Sequence, residues 1–165
     1  MVHPYPPHLR DFSYVGRHSY ALEFTTFDRR ELFQDPETVR LTLEQFLRAG
    51  AERGFALAAY CFMPDHVHLV IDGKRDDADG KAFIKAAKQY SNYYFKQARK
   101  ETLFQRYGYE RAIRSDIERG LTIAYVVANP VVAGLVTRAA DYPFLGSEIY
   151  SMDELIAICE SCSFA

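Results

Sequence analysis

The chain has 165 residues, of which 48% are hydrophobic and 15% aromatic, and its formal net charge is −2. This length and composition are typical of one domain with a sizeable apolar core, so a mainly disordered protein is excluded. The longest apolar run, residues 55–63, is far shorter than the roughly 20 residues of a membrane-spanning helix. The start of the chain lacks the pattern of a signal peptide, and three cysteines do not suggest a disulfide framework. We therefore predict a single cytoplasmic domain over residues 1–165, with no membrane partner.

Charge is distributed unevenly along the chain. A net charge of −2 argues against a generic nucleic-acid binder. Between residues 81 and 114, however, nine lysines and arginines face only two glutamates, which gives this segment a charge of +7. A local basic field of this kind can bind phosphate groups even on a slightly acidic protein.

The first half of the chain predicts an extended arm, a strand, a helix and a pair of antiparallel strands. Prolines favour the arm, alternating apolar side chains favour the strands, and apolar side chains at helical spacing favour the helix. Gly54 provides the helix with a C-terminal cap, and Pro64 and Asp65 form the turn between the paired strands. In chain order these elements cover residues 1–16, 19–27, 36–53, 55–63 and 66–71.

The second half predicts two further helices and one more strand before a C-terminal appendage. Ser115 and Glu118 have the spacing of a capping box, so a short helix should begin there. This helix runs toward Ala128 and should stop near Pro130, because a proline ring does not continue a helix. The other predicted elements are a polar loop at 73–80, a helix at 81–100, a strand at 107–113, an irregular segment at 144–150, and a helix at 152–159 within an appendage at 150–165.

The order of the predicted elements indicates the fold class. It is strand, helix, strand, strand, helix, strand, followed by an extra helix. This matches the βαββαβ ferredoxin-like arrangement, in which helices cover one antiparallel sheet. We therefore predict an α+β fold with an additional C-terminal helix.

The sharpest local feature is a His-x-His pair, His66 and His68, directly after the Pro64-Asp65 turn. Residues two apart on a strand point to the same face, so the two imidazoles project together. Neutral histidines are common metal ligands, and this spacing suits a metal pair. The alternative is a pair of exposed or hydrogen-bonded histidines without a ligand. A metallo-hydrolase of the His-x-His-x-Asp-His type is disfavoured, because the additional aspartate and histidine are missing.

A second feature lies on the predicted short helix. Tyr125 and Asn129 are four residues apart, about 40° around the helix axis, and so share a face. An asparagine oxygen suits Mg²⁺ or Mn²⁺, and two histidines with one asparagine leave positions open for phosphate oxygens. A tyrosine can serve as a covalent nucleophile. The chain has 12 tyrosines, however, so Tyr125 taken alone is better explained as a packing residue.

Three segments together carry a family resemblance: PDHVH, YGYERAIRSD and AYVVANPVVAGLV. In this order and spacing, residues 18–146 resemble the REP-associated tyrosine transposases, in the single-tyrosine branch of the HUH endonuclease superfamily. The resemblance implies that Tyr125 is the catalytic tyrosine and that His66, His68 and Asn129 hold Mg²⁺ or Mn²⁺. Many relatives carry tryptophan before the basic strand, where this chain has tyrosines, so DNA contacts at that point need not carry over.

The resemblance also implies a reaction, metal-assisted transesterification on single-stranded DNA. Tyr125 attacks the scissile phosphate, forms a 5′-phosphotyrosine and releases a 3′-hydroxyl. The expected partner is single-stranded or hairpin DNA, and the protein is expected to be a monomer or homodimer. Tyr93 and Tyr94 are rival nucleophiles, because paired tyrosines occur in other HUH enzymes. Tyr94 shares the apolar stripe of its helix, so we expect it to be buried.

The basic segment is the predicted DNA-binding region. Its candidate residues are Lys85, Lys88 and Lys96, which lie along one helix stripe, and Arg111 and Arg114, on the strand before the catalytic helix. The lysines could track a phosphate backbone, although a solvated helix face explains each of them equally well. Two alternative functions stay open. One is a non-catalytic, ferredoxin-like nucleic-acid-binding protein derived from a transposase, and the other is a metal-dependent nuclease that uses water.

Overall fold

A five-stranded antiparallel sheet forms the centre of the fold. The computed structural model describes residues 12–162. Its strands and α-helices are β1 (Ser19–Thr25), α1 (Pro36–Arg53), β2 (Phe55–Met63), β3 (His66–Gly73), α2 (Gly80–Arg99), β4 (Tyr109–Ile113), α3 (Asp116–Val132), β5 (Leu145–Gly146) and α4 (Met152–Ser161). The sheet order is β4-β1-β3-β2-β5, and all neighbouring strands are antiparallel. The predicted ferredoxin-like α+β fold is confirmed.

Alternate residues of β3 face two different helical layers, as the two-residue period of a strand requires. Val67, Leu69 and Ile71 are buried in the larger core, which α1 and α2 cover. Val70 is buried in the smaller core, which α3 and α4 cover. His66 and His68 are an even number of residues from Val70, so their side chains lie on the same face of the sheet, the face that α3 covers.

Phenylalanine rings fill the larger core. Phe24 packs against Phe46 and Phe104 with ring centroids 5.8 and 5.6 Å apart, and Phe46 stacks on Phe62 at 5.9 Å. Each fully buried phenylalanine contributes roughly 1.5–3 kcal/mol relative to an exposed one. This packing supports the central strands from the side opposite the histidines.

Helix α3 begins where the sequence predicts, with a variation in its cap. Ser115 Oγ accepts a hydrogen bond from Glu118 N at 3.1 Å, which satisfies one of the free amides of the first turn. The reciprocal half of the predicted capping box does not form. Instead, the Glu118 carboxylate accepts a hydrogen bond from Arg114 N at 3.0 Å, one residue further back. The glutamate therefore ties the end of β4 to the start of α3.

The predicted end near Pro130 is correct to within two residues, but the proline does not cause it, because α3 continues to Val132. A proline removes its own N–H from the helical pattern and its ring crowds the carbonyl four residues earlier, but the residues after it can still form helical hydrogen bonds. Ala133 N still donates to Asn129 O at 2.9 Å, so the last turn closes around the proline. Asn129 therefore lies inside the helix, in register with the turns before it.

Four strand predictions need correction. β1 ends at Thr25 instead of residue 27, and β3 continues to Gly73 instead of ending at residue 71. The strand predicted from residue 107 begins at Tyr109, because the preceding chain bonds to the end of β1, where Gln105 N donates to Thr25 O at 3.0 Å. The segment predicted as irregular at 144–150 contains β5, which pairs with Tyr60 and Cys61 of β2. A strand of two residues is too short to show alternation in a sequence.

Residues 1–11 of the predicted arm lie outside the described residues. The rest of the arm is bound to the domain: Val15 bridges to Asp79, and Gly16 N donates to Ala78 O at 2.9 Å. Phe12 packs against the larger core. Among residues 12–162, no helix combines the length and apolar character needed to cross a membrane.

Candidate active site

His66 and His68 point toward each other on the α3 side of β3. Their Nε2 atoms are 3.1 Å apart, and the ring planes meet at 89°. Two nitrogen ligands of one metal ion, each about 2.1 Å from it, lie roughly 3.0–3.4 Å apart in tetrahedral or octahedral geometry. The observed separation therefore fits two ligands of a single ion.

A carboxylate stands behind each imidazole. Asp65 Oδ1 lies 2.6 Å from Nδ1 of His66, and Glu23 Oε2 lies 3.7 Å from Nδ1 of His68. The second contact follows from the sheet register, in which Glu23 of β1 is opposite His68 of β3. At 2.6 Å the Asp65 carboxylate favours the His66 tautomer that is protonated at Nδ1, which leaves the Nε2 lone pair for a ligand, whereas 3.7 Å is too long for a hydrogen bond between Glu23 and His68. Without an ion, one imidazole N–H can donate to the other across this distance, and a shared ion would take the place of that proton.

Burial keeps His68 neutral. Burial, followed by the nearby His66, lowers the pKa of His68 to about 3, so its imidazole is an electron-pair donor at neutral pH. At Asp65, burial raises the carboxyl pKa, but hydrogen bonding and charge from His66 and Arg29 outweigh it, and the net pKa is lowered. Asp65 therefore remains a carboxylate behind its histidine.

Helix α3 brings Tyr125 to the histidine pair. The Tyr125 ring meets the His68 ring edge to face, with centroids 5.6 Å apart. Ile123, Val126 and Val127 turn the opposite side of the helix into the smaller core, and this leaves Tyr125 63% exposed. A phenol that is open to solvent beside two convergent ligands is suited to attack a bound phosphate.

Asn129 lies one turn beyond Tyr125 on α3 and is half-buried. In the part of the chain that the structure describes, no three histidine, cysteine, aspartate or glutamate side chains cluster as metal ligands. The histidine pair therefore needs a ligand of another kind. An amide oxygen, a phosphate oxygen or water would complete a site for Mg²⁺ or Mn²⁺, and Asn129 offers the first of these.

Two ion pairs fix α3 on the sheet. Arg119 donates to both carboxylate oxygens of Asp72 on β3, at 3.0 and 2.7 Å, and Ser19 Oγ donates to the same carboxylate at 2.6 Å. Burial raises the pKa of Asp72, but these hydrogen bonds outweigh it, and the net pKa is lowered. Arg111 on β4 pairs with Glu118 in the first turn of α3. Together these contacts position the helix that carries the tyrosine.

The predicted DNA-binding lysines occupy two environments. Lys85 and Lys96 are exposed on α2, across the sheet from the histidines. Lys88 is half-buried, and its ammonium group donates to the carbonyl oxygens of Gln105 and Arg106 at 2.9 and 2.8 Å. Burial lowers the pKa of Lys88. This lysine therefore holds the chain before β4 against α2.

The predicted DNA-binding arginines lie near the start of α3. Arg111 is half-buried, and besides its ion pair with Glu118 it donates to Thr122 Oγ1 at 3.3 Å. Arg114 is exposed and directly precedes the cap of the helix. The structure thus brings these two arginines to the α3 side of the molecule, apart from the lysines on α2.

The rival tyrosines lie away from the histidine pair. Tyr93 and Tyr94 are on α2 and pack against each other with ring centroids 5.2 Å apart. The prediction that Tyr94 is buried is wrong, because its side chain is 41% exposed. Ser91 and Phe95 face the core instead, and Tyr94 is rotated from Phe95 by about 100°.

Sequence reasoning missed the residues that support the site, namely Glu23, Asp65, Asp72 and Arg119. Asp65 offered the clearest signal, since it adjoins the histidine pair in the sequence. Glu23 and Asp72 are identified only by the pairing register of β1 and β3, where each has its partner on the neighbouring strand. Arg119 could have been suspected from its place in the first turns of α3.

The fold and the sequence of this chain are similar to those of a known class of transposases. A sequence model described as Transposase IS200 like matches residues 14–113, more than half of the chain. The chain therefore belongs to the IS200-like transposase family. His66 and His68 lie inside the matched segment, whereas Tyr125 and Asn129 follow it.

Individual relatives agree with this assignment. A Haemophilus influenzae protein named as a REP-associated tyrosine transposase is 28% identical over 118 residues; the match covers 60% of this chain and 66% of that protein, just under two thirds. A solved REP-associated tyrosine transposase bound to a REP hairpin has a TM-score of 0.70 at 20% identity, with 85% of this chain and 82% of that chain covered. A Deinococcus radiodurans structure described as a transposase has a TM-score of 0.52 at 22% identity, with 73% and 95% covered. The two structures establish the similarity of fold.

Proposed function

We propose that this chain is a metal-dependent endonuclease and strand transferase for single-stranded DNA, which forms a 5′-phosphotyrosine intermediate at repeat hairpins. The observation that carries the proposal is the convergence of His66 and His68 Nε2, 3.1 Å apart, beside the exposed ring of Tyr125. Membership of the IS200-like transposase family supports DNA as the substrate. The solved relative that is bound to a REP hairpin supports a hairpin as its form.

His66 and His68 would hold the divalent ion, with Asn129 as the third protein ligand. Bound Mg²⁺ or Mn²⁺ would polarise the scissile phosphate and stabilise the negative charge that develops during transfer. Asp65 orients His66 through Nδ1, so this ligand nitrogen stays in place without rearrangement, and Glu23 lies near Nδ1 of His68. His68 remains neutral at working pH, because burial holds its pKa at about 3.

Tyr125 would supply the nucleophile. Its phenolic oxygen bonds to the scissile phosphorus, and the phenolic proton passes to solvent. The bond from phosphorus to O3′ breaks, and O3′ takes up a proton and leaves as a 3′-hydroxyl. The 5′ end stays joined to Tyr125 as a phosphotyrosine ester. Because one ester replaces another, a 3′-hydroxyl can later reverse the step and rejoin a strand, which hydrolysis would not allow.

The test uses single-stranded oligonucleotides that carry the repeat hairpins flanking the gene, incubated with the full chain and Mn²⁺ or Mg²⁺. Denaturing gels detect a covalent protein–DNA species. We expect this species from the wild type and none from Tyr125→Phe or His66→Ala. Tyr93→Phe is the matched control, because Tyr93 is 59% exposed on α2, and it should keep the wild-type yield.

Other results would each contradict the proposal in a different way. Cleavage that persists in Tyr125→Phe without an adduct identifies water as the nucleophile. An adduct that forms fully in the presence of a chelator excludes the metal. Tight hairpin binding with no cleavage, over a wide pool of oligonucleotides and with both metals, identifies a non-catalytic nucleic-acid-binding protein.

A further inference from the structure

A groove of about 820 Å³ lies between α2 and residues 104–110. It opens on the side of the sheet opposite the histidine pair. Its floor is apolar: the half-buried Ile84 is open to the groove, above the rings of Phe24 and Phe104, which are 1% and 3% exposed. The volume lies within the roughly 300–1,000 Å³ that ligand sites occupy in proteins, and the mechanism proposed above does not use it.

The outer wall of this groove is held firmly in place. Lys88 donates to the carbonyl oxygens of Gln105 and Arg106, and so links the wall to α2. At Gly108 the wall passes so close to β1 that a Cβ atom there would lie 2.7 Å from Glu23 O. The groove is therefore a built feature rather than a gap beside a loose segment.

The rim of the groove is cationic and aromatic. Lys81, Lys85 and Arg106 are exposed along it, and in residues 12–162 none of these three forms an ion pair with a carboxylate. Tyr107 projects from the wall with 65% of its surface exposed, and the Arg106 guanidinium lies 5.4 Å from its ring centroid. Glu110 is the carboxylate among the lining residues, so the groove has a net positive charge.

We propose that this groove binds unpaired nucleotides of the DNA strand that the active site cleaves. One base rests on the apolar floor against Tyr107, and the neighbouring phosphates lie at Lys81, Lys85 and Arg106. Grooves that combine basic side chains with exposed aromatic rings bind single strands in this way. A duplex keeps its bases stacked inside, so it cannot use the floor or the ring. The inference rests on the proposed function, because it takes DNA as the substrate.

The geometry of the sheet allows one strand of DNA to reach both sites. β4 is the edge strand next to the groove, and its Tyr109 is opposite Glu23 of β1. Glu23 in turn faces His68. In the plane of the sheet, the groove wall and the histidine strand are thus two strand spacings apart, about 10 Å. Because the two sites are on opposite faces, a single strand that reaches both must pass around the β4 edge.

The first experiment measures the binding of single-stranded DNA under conditions in which no cleavage occurs. Full-length protein with Tyr125→Phe, in chelator, is titrated into fluorescent oligothymidylate of about 12 nucleotides, within the ~4–16-nucleotide range of single-strand sites. Adding Tyr107→Ala should weaken binding about tenfold, the loss of one stacked base. Adding Tyr93→Ala, at a similarly exposed tyrosine outside the groove, should leave the affinity unchanged. Circular dichroism melts confirm that each variant is folded.

The second experiment locates the base. Oligothymidylate with 5-iodouracil at single positions is photo-crosslinked to the protein, and the tryptic peptides are identified by mass spectrometry. We expect a crosslink in the peptide of residues 107–111. Equal affinity of Tyr107→Ala and its parent, a crosslink only elsewhere, or equal competition by the matching duplex would each overturn the groove proposal.

The two proposals fail in distinguishable ways. In one outcome, the wild type forms a covalent adduct while the Tyr107→Ala variant binds DNA with unchanged affinity. This result refutes the groove proposal and supports the catalytic function. Weakened binding and the expected crosslink, without any adduct from the wild type, support the groove and remove the catalytic function.

Discussion

The rings of His68 and Tyr125 meet edge to face, with centroids 5.6 Å apart and planes at 83°. This contact joins the central strand of the sheet to α3. It uses the ring of the tyrosine, and the ring remains when the hydroxyl is removed. The metal-binding half and the nucleophilic half of the candidate site can therefore be separated by the loss of one oxygen atom.

Tyr125→Phe should abolish the covalent adduct while it preserves Mn²⁺ affinity and thermal stability. The aromatic contact with His68 is retained, and the exposed hydroxyl leaves no buried group without a partner. Electron paramagnetic resonance of free Mn²⁺ measures the affinity, and a thermal melt measures the stability. A clear fall in Mn²⁺ affinity would show that the hydroxyl itself is a ligand and would refute this division of roles.

Asp65→Asn should weaken Mn²⁺ binding by about 10–100-fold, because it removes the carboxylate that orients His66. Glu23→Gln should have a smaller effect, because Glu23 lies beyond hydrogen-bond distance of His68. Isothermal titration calorimetry measures the change. Asp76→Asn is the control, since the Asp76 side chain is 95% exposed in a surface ion pair, and its affinity should equal that of the wild type. Wild-type affinity in both carboxylate variants would show that the imidazoles are oriented by other contacts.

Asp72→Asn should lower the free energy of unfolding at pH 7 by about 3 kcal/mol, because it leaves the largely buried Arg119 without its partner. The pKa of Asp72 is lowered from 3.8 in the folded state. Its stabilisation is therefore present above that pH and is lost as the pH falls through the folded-state pKa. The difference in the free energy of unfolding between the wild type and Asp72→Asn should therefore become smaller in acid.

Urea unfolding at pH 7 and near pH 3 tests this expectation. Asp141→Asn is the control, because Asp141 and Arg138 form a surface ion pair with exposed side chains, and its unfolding should hardly change. A gap that stays constant between the two pH values would mean that the ionised carboxylate is not the source of the stabilisation.

Lys88→Ala should change the stability of the fold, whereas Lys85→Ala should change DNA binding. Loss of Lys88 removes two charge-assisted hydrogen bonds that hold residues 105 and 106, and should cost about 1.5–3 kcal/mol of stability. Loss of the exposed Lys85 should leave stability unchanged. It should instead weaken DNA binding and reduce the salt slope of the binding constant by about one.

Salt-dependent binding titrations and urea unfolding of the same two variants separate these effects. If both lysines changed stability equally, Lys88 would not be the residue that holds the groove wall. If Lys85→Ala left the salt slope as it is in the wild type, Lys85 would not contact phosphate.

The features that the sequence predicts correctly are those that depend on the short period of a strand or a helix, or on a local capping pattern. The two-residue period of a strand is enough to place His66 and His68 on one face, and the four-residue spacing on a helix is enough to align Asn129 with Tyr125. The bounds of α1 and β2, and the cap at Gly54, also follow from local patterns. Each of these predictions depends on contacts within a few residues.

The features that it could not predict depend on pairing between distant segments. Glu23 reaches His68 only because β1 and β3 pair in one particular register. From the sequence, Lys88 is one of several lysines on an exposed helix stripe. In the structure, residues 105 and 106 pack along α2 and accept hydrogen bonds from Lys88, which gives it a structural role. A helical period determines which side of α2 a lysine lies on, but not what packs against that side.

In chain order, the ligand pair of the candidate site precedes the nucleophile. His66 and His68 are on a central strand, which is flanked by β1 and β2, whereas Tyr125 arrives with α3, after every strand that contacts β1 or β3 has been made. A nascent or partly unfolded chain can thus possess the ligand pair without a nucleophile beside it. If the proposed function holds, strand breakage is withheld until folding is complete, and incomplete molecules do not damage the DNA around them.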